Sequence, residues 1–491
     1  ASYRFIICFV FLGMRIKAFN LLIILVLSCF SIANAQTIDE DNNRAVFNRI
    51  EFFFNSKQAD SIYNLASDEF KEQISREKMN NTIEQLFELG KIENATKTAF
   101  GKGVATYKVE LESATLSILL GIDSTMHYST FLIKPYEAEE KPQKEEIISN
   151  VEAKSPLDLF VDSVARSYAK NGNAHSLAVA VIHQNKINTF FYGETAPGNN
   201  SLPDANTVYE IGSVTKTFTA TLLADLVNKG VIGLDDSISK FLPDTVAQNP
   251  DIQKITFKML ANHTSGLPRL ASNWNKVPKF NEKDPYAAYD KKALFAFLKD
   301  FKAEKEPGTE YDYSNLGFGL LGELLSTITK KPYMTLVKET ILTPLEMTNT
   351  GDKLNPKNKN FAAPFSESGE QVPFWNFQAI AGAGALKSTL NDLLRYTIAQ
   401  LTFPENDVQR AMNLTKQFTF LVPPNSDIGL AWHMNMLDGV IYYHHTGATE
   451  GSNAFVGFVP DEKSVVIMLS NSSNQLGKIG TQLLEKVLTT K

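Results

Sequence analysis

Four serines of this 491-residue chain stand three positions before a lysine: Ser75/Lys78, Ser167/Lys170, Ser213/Lys216 and Ser237/Lys240. That spacing puts hydroxyl and amine on one face of a helical turn. A serine becomes an effective nucleophile only when a neighbour takes its proton. A lysine or tyrosine with an ordinary pKa near ~10 is a base in about one molecule per thousand or fewer at pH 7. Burying the lysine, or placing cations near the tyrosine, raises that fraction. An isolated Ser-x-x-Lys is ordinarily a serine beside a solvated helix lysine. Ser213 differs in what accompanies it. It stands at an expected helix start, in "YEIGSVTKTFTATLLADLVNKG" (209–230), where unpaired N–H groups and the positive helix end favour negative charge on an oxygen. Downstream, Tyr313 is alone among sixteen tyrosines in having an Asn two residues on, Asn315, and His445-Thr446-Gly447 occurs once.

The elements that must carry these residues fall into two groups. Residues 38–135 read as a small α+β domain. Val46, Phe47, Ile50, Phe53 and Phe54 recur at helical spacing, as do Met79, Ile83, Leu86 and Phe87 before Gly90. The period then changes to two: Ala105, Tyr107, Val109 and Leu111 alternate with Thr106, Lys108 and Glu110, as in a half-buried strand. Strands are expected near 114–122 and 127–134. Residues 136–156, rich in charge and with two prolines, read as a linker. From 157 to 491 a hairpin, "LAVAVIHQNKINTFFYG", opens the unit and "GVIYYHHTG", "NAFVGFVP" and "SVVIMLSN" close it as strands, with a last helix near 476–488. Strands from both ends around a helical middle give an α/β (α+β) fold: one antiparallel sheet with flanking helices and an inserted helical domain.

Ser213-x-x-Lys216, Tyr313-x-Asn315 and His445-Thr446-Gly447, in this order, resemble the serine β-lactamase and penicillin-binding protein superfamily. The resemblance is to the branch of class C β-lactamases, D-aminopeptidases, DD-carboxypeptidases and related esterases. "NHTSGLP" (262–268), "PLEMTNT" (344–350), "AGAGALKSTLNDLLRY" (381–396) and "FVGFVPDEKSVVIMLSN" (455–471) are similar to it as well. The likeness spans about 157–488. It implies an acyl-enzyme on Ser213, with Lys216 and Tyr313 sharing the proton and the general base left open between them. Asn315 would hold Lys216 and a substrate amide, and His445, Thr446 and Gly447 would line the substrate. The N–H groups of Ser213 and Ala448 would form the oxyanion hole, and no metal or organic cofactor is implied. The 38–135 domain resembles, in element order, the cone-shaped fold of the nuclear-transport-factor-like superfamily and reads as an accessory or binding module.

Each residue also has a plainer role. Tyr313 and Asn315 suit a helix-start turn, His445 a satisfied strand position, and His263 a structural one. Three motifs in family order outweigh these. The lysine of lactamases is replaced by His445, which is mostly neutral above about pH 6.5, so a strict demand for an anionic substrate is not expected. No Glu-x-x-Leu-Asn is present, and efficient β-lactam hydrolysis is not expected either. Gly-x-Ser-x-Gly and His-Glu-x-x-His are absent, which argues against an α/β-hydrolase or a zinc hydrolase. The alternative is a catalytically inactive binding protein whose working part is the N-terminal module.

From Met14, "MRIKAFNLLIILVLSCFSIANAQ" has basic residues, an apolar run and small residues at Ala33 and Ala35. It reads as a signal peptide cleaved after Ala35, within a 1–35 leader. Export to the periplasm or medium follows, with no stable membrane span after cleavage. Retention of the leader, or lipid on Cys29, would give an anchored form. Both cysteines, Cys8 and Cys29, would leave with the leader, so disulfides and thiolate metal sites are not expected. Loss of Arg4, Arg15 and Lys17 would take the net charge from −6 to −9, which disfavours nucleic acid. The expected partner is a small ester, a peptide or a cell-wall peptide.

Overall fold

The structure, a computed structural model, describes residues 40–101, 103–136, 146–170, 174–355, 357–423 and 426–490. The expected leader, both cysteines and part of the charged linker lie outside these. Contacts divide the chain into two compact units, 1–139 and 140–491.

In the first unit, β1 (Ile92–Gly101), β2 (Val104–Leu111), β3 (Thr115–Ile122) and β4 (Tyr128–Pro135) form an antiparallel sheet in sequence order. The helices Glu40–Asn55 and Arg76–Phe87 bury Val46, Phe47, Ile50 and Phe54, and Met79, Ile83 and Leu86, in one core with the inward residues of β2. Ser75, one of the serine–lysine pairs, is the N-cap of Arg76–Phe87 and accepts the Lys78 backbone N–H at 3.3 Å. That is an ordinary capping role.

The second unit is built on an eight-stranded antiparallel sheet. Its strands are β5 (Ser176–His183) and β6 (Lys186–Gly193) from the front of the unit. From its end come β9 (Phe420–Val422), β10 (Ser426–Ile428), β11 (His433–Leu437), β12 (Val440–Ala448), β13 (Asn453–Val459) and β14 (Ser464–Ser470). Their order is β6-β5-β14-β13-β12-β11-β10-β9. The central strands are apolar on both faces because both are covered. Leu177, Val179 and Val181 pack with the helices Pro156–Ala169 and Gly477–Thr489. Ala178, Ala180 and Ile182 face the helical middle, with Phe218 and Tyr396. This is why β5 reads as an unbroken apolar run rather than an alternation. Two short strands, β7 (Tyr209–Glu210) and β8 (Lys387–Ser388), pair with each other and flank the nucleophile turn. The other serine–lysine pairs are structural. Lys170 ends the helix Pro156–Ala169, and Ser237 caps a short 3-10 turn while Lys240 pairs with Asp236 at 2.8 Å.

Candidate active site

Ser213 lies in a 3-10 turn, Gly212–Val214, directly before the helix Thr215–Asn228. That helix is buried from Thr215 to Asp225, so its threonine hydroxyls need internal acceptors. Thr217, Thr219 and Thr221 donate to the carbonyls of Val214, Thr215 and Thr217. Lys216 is wholly buried. Its Nζ is 2.9 Å from Ser213 Oγ, 2.7 Å from Asn315 Oδ1 and 2.8 Å from Ala383 O. Burial, then the positive charge of Arg269, holds this amine well below the usual lysine range. A neutral amine has two N–H groups and one lone pair. With the N–H groups on the Asn315 and Ala383 oxygens, the lone pair is left for the Ser213 hydroxyl.

Tyr313 and Asn315 enter from the start of the helix Asn315–Thr329, whose N-cap is Ser314. Ser314 Oγ accepts the Gly317 N–H at 2.8 Å and donates to Pro268 O at 2.7 Å. The helix-start reading holds, and the same turn brings Tyr313 and Asn315 beside Lys216. Burial pushes the Tyr313 pKa up to about 12, opposed by the nearby Ser213 hydroxyl and the Arg269 charge. The Lys216 Nζ lies 4.9 Å from the Tyr313 ring centroid and the Arg269 guanidinium 5.3 Å.

The third motif ends β12. His445 is 2% exposed, with Nδ1 2.6 Å from Thr446 O. Burial pushes its pKa well below the ordinary histidine value, so the ring is neutral. Thr446 and Ala448 are exposed, and Gly447 between them is buried. A Cβ on Gly447 would stand 1.9 Å from Ile211 O and 3.1 Å from Ser213 N; one on Gly212, where φ is +45°, would stand 2.7 Å from Ala448 N. Only two glycines allow this approach. It sets the N–H groups of Ser213 and Ala448 along one seam.

Glu210, buried in β7, ties that seam together. Its two oxygens accept the Trp375 N–H and the Thr449 hydroxyl, each at 2.7 Å. Thr449 directly follows Ala448. Burial raises the Glu210 pKa while its cross-strand neighbour Lys387 lowers it. Glu210, Lys387, Arg269 and the Ala383 carbonyl were not singled out by sequence reasoning. Glu210, Ala383 and Lys387 lie within phrases around the motifs, and Arg269 directly follows one. Among the described residues no cluster of three or more His, Cys, Asp or Glu is arranged to hold a metal, and no helix is long and apolar enough to cross a membrane.

Comparison with known proteins agrees with this geometry. The profile of the Beta-lactamase family matches residues 161–488, and the chain belongs to that family. It is 29% identical over 370 residues to the D-alanyl-D-alanine-carboxypeptidase/endopeptidase AmpH of Escherichia coli K12, covering 68% of this chain and 93% of that protein. It is 24% identical over 417 residues to a β-lactamase of Psychrobacter immobilis, covering 77% and 94%. A solved class C β-lactamase superposes with a TM-score of 0.60 at 24% identity, covering 70% of this chain and 98% of that one. A β-lactamase/D-alanine carboxypeptidase from Pseudomonas syringae gives 0.60 at 22%, covering 68% and 99%. The mixed fold, an antiparallel sheet with flanking helices, is that of the class C enzymes.

Proposed function

We propose that this chain is an exported serine hydrolase that cleaves an ester or amide through an acyl-enzyme. As Ser213 Oγ attacks the carbonyl carbon, its proton passes to the lone pair of Lys216. The N–H groups of Ser213 and Ala448 receive the developing oxyanion. Lys216, with the protonated Tyr313 phenol beside it, returns the proton to the leaving group as the carbon–heteroatom bond breaks. Water, deprotonated by the same pair, then releases the acid and restores Ser213. Asn315 holds Lys216, while His445, Thr446 and Gly447 line the substrate. The observation that carries this reading is the bonding of Lys216: wholly buried, with Nζ held by Asn315 Oδ1 and Ala383 O and set 2.9 Å from Ser213 Oγ.

The residue at 445 guides the choice of substrate. A neutral histidine gives no fixed charge for a carboxylate, so uncharged esters and amides are favoured over β-lactams. The carboxypeptidase named among the relatives supports a D-alanyl peptide as a second substrate to try. We assign residues 38–135 to an accessory binding domain, 136–156 to a linker and 157–491 to the hydrolase. The inactive-binder alternative is disfavoured by the intact bonding of Ser213, Lys216 and Asn315. The test is turnover of a short-chain nitrophenyl ester and a D-alanyl dipeptide by Ser213→Ala. A loss of at least about 10³-fold is expected; unchanged turnover would overturn the assignment.

A further inference from the structure

His263 is fully buried and adopts a φ of +62°, unusual for a residue with a side chain. Its polar contacts converge on three consecutive residues. Its carbonyl accepts the Asp312 N–H at 2.7 Å and its Nδ1 accepts the Ser314 N–H at 3.0 Å. Between them, its ring lies 4.3 Å from that of Tyr313 at an interplanar angle of 30°. Phe318 at 5.0 Å and Tyr311 at 5.6 Å close the remaining faces of the imidazole. The positive φ is what allows carbonyl and ring nitrogen of one residue to reach the backbone on both sides of Tyr313.

Nδ1 accepts an N–H, so the imidazole carries its proton on Nε2. Burial, with the charge of Arg269 adding to it, keeps the ring neutral and preserves that acceptor. The stacked face restrains the Tyr313 ring, which also lies 4.9 Å from the Lys216 Nζ that contacts Ser213 Oγ. We propose that His263 is a positioning residue for the reaction, holding residues 312–314 so that the Tyr313 phenol stays beside Ser213 and Lys216. This rests on the hydrolase reading given above. It assigns His263 a role in the chemistry that the sequence alone did not, since its partners lie some fifty residues away.

His263 acts through Tyr313, so its effect must vanish when the phenol is gone. The experiment is a double-mutant cycle of His263→Gly and His263→Asn with Tyr313→Phe. It reads the nitrophenol burst rate on nitrophenyl acetate, the KM and the thermal midpoint. Gly keeps the backbone conformation and removes both ring contacts. Asn also tolerates positive φ and can offer an amide oxygen to the Ser314 N–H. His263→Gly is expected to slow acylation about 10²-fold, the scale of a displaced catalytic group, with KM changed by less than about threefold. His263→Asn is expected to recover most of that loss. In the Tyr313→Phe background either change should alter the burst by less than about twofold. Additive losses in the two backgrounds, or an Asn variant that folds yet is as slow as Gly, would overturn the proposal. Should the Gly variant fail to fold, the Asn cycle decides by itself. A burst that persists in Ser213→Ala contradicts the hydrolase reading instead, which separates the two failures.

Discussion

Adding one methyl group at Gly447 should disable the site without touching any side chain that does chemistry. The new Cβ would sit 1.9 Å from Ile211 O, whereas real Cβ contacts essentially never fall below 3.0 Å. The opposing atom is backbone, in the strand-to-helix turn that carries Ser213, so no flexible side chain can yield. β12 and the turn must therefore separate by about 1 Å. An oxyanion donor acts at about 2.7–3.1 Å from the oxygen; moved outward by that amount, the Ala448 N–H no longer makes a hydrogen bond. Removing one such donor typically lowers kcat by about 10²–10³. Overpacking costs about 1–3 kcal/mol of stability, so the thermal midpoint should fall by only a few degrees. The assay is stopped-flow acylation by nitrophenyl acetate beside a thermal melt. The expected result is a folded protein with kcat down about 10²-fold or more and KM nearly unchanged. A folded Gly447→Ala enzyme with kcat within about threefold of the parent would refute the proposed oxyanion hole.

Two other outcomes follow from the charges of the site. The active form needs Lys216 as the free amine, and burial lowers its pKa, so kcat/KM should fall as pH drops through that lowered value. Tyr313 loses its proton only near about 12, so a pH–rate profile should show no alkaline limb below about pH 10; a clear limb at pH 8–9 would contradict the assignment. His445→Lys would place a cation where the ring is now neutral. It should improve kcat/KM for a carboxylate-bearing penicillin roughly tenfold relative to a neutral nitrophenyl ester, the order of a partly screened charge pair. An unchanged ratio would show that position 445 does not set charge preference.

Much of the fold was legible because its signals are local. The apolar runs of β5, β13 and β14 and the alternation in β2 follow from burial on two faces or one, and the structure places them within a residue or two of expectation. Ser213, Lys216, Tyr313 and Asn315 were legible because three motifs occur in one order; the structure brings Ser213, Lys216 and Asn315 within hydrogen-bonding reach and sets the Tyr313 ring 4.9 Å from the Lys216 Nζ. What sequence could not show depends on contacts between distant segments. The seam between Gly212 and Gly447 joins residues more than two hundred positions apart. His263 looked structural because nothing in "NHTSGLP" announces that its ring meets Tyr313. Glu210 and Lys387 carry no local sign of the interior pairing that β7 and β8 give them. The contacts of Lys216 with Asn315 and Ala383, on which its proposed role as base rests, likewise come from distant segments.

The most direct measurement is the intact mass of the protein within a second of mixing with a short-chain nitrophenyl ester, followed by peptide mapping. The account predicts a transient acyl mass on the peptide containing Ser213, rising with nitrophenol release, decaying with turnover and missing in Ser213→Ala. Release at the parent rate without an adduct, or an adduct that maps elsewhere, would contradict it.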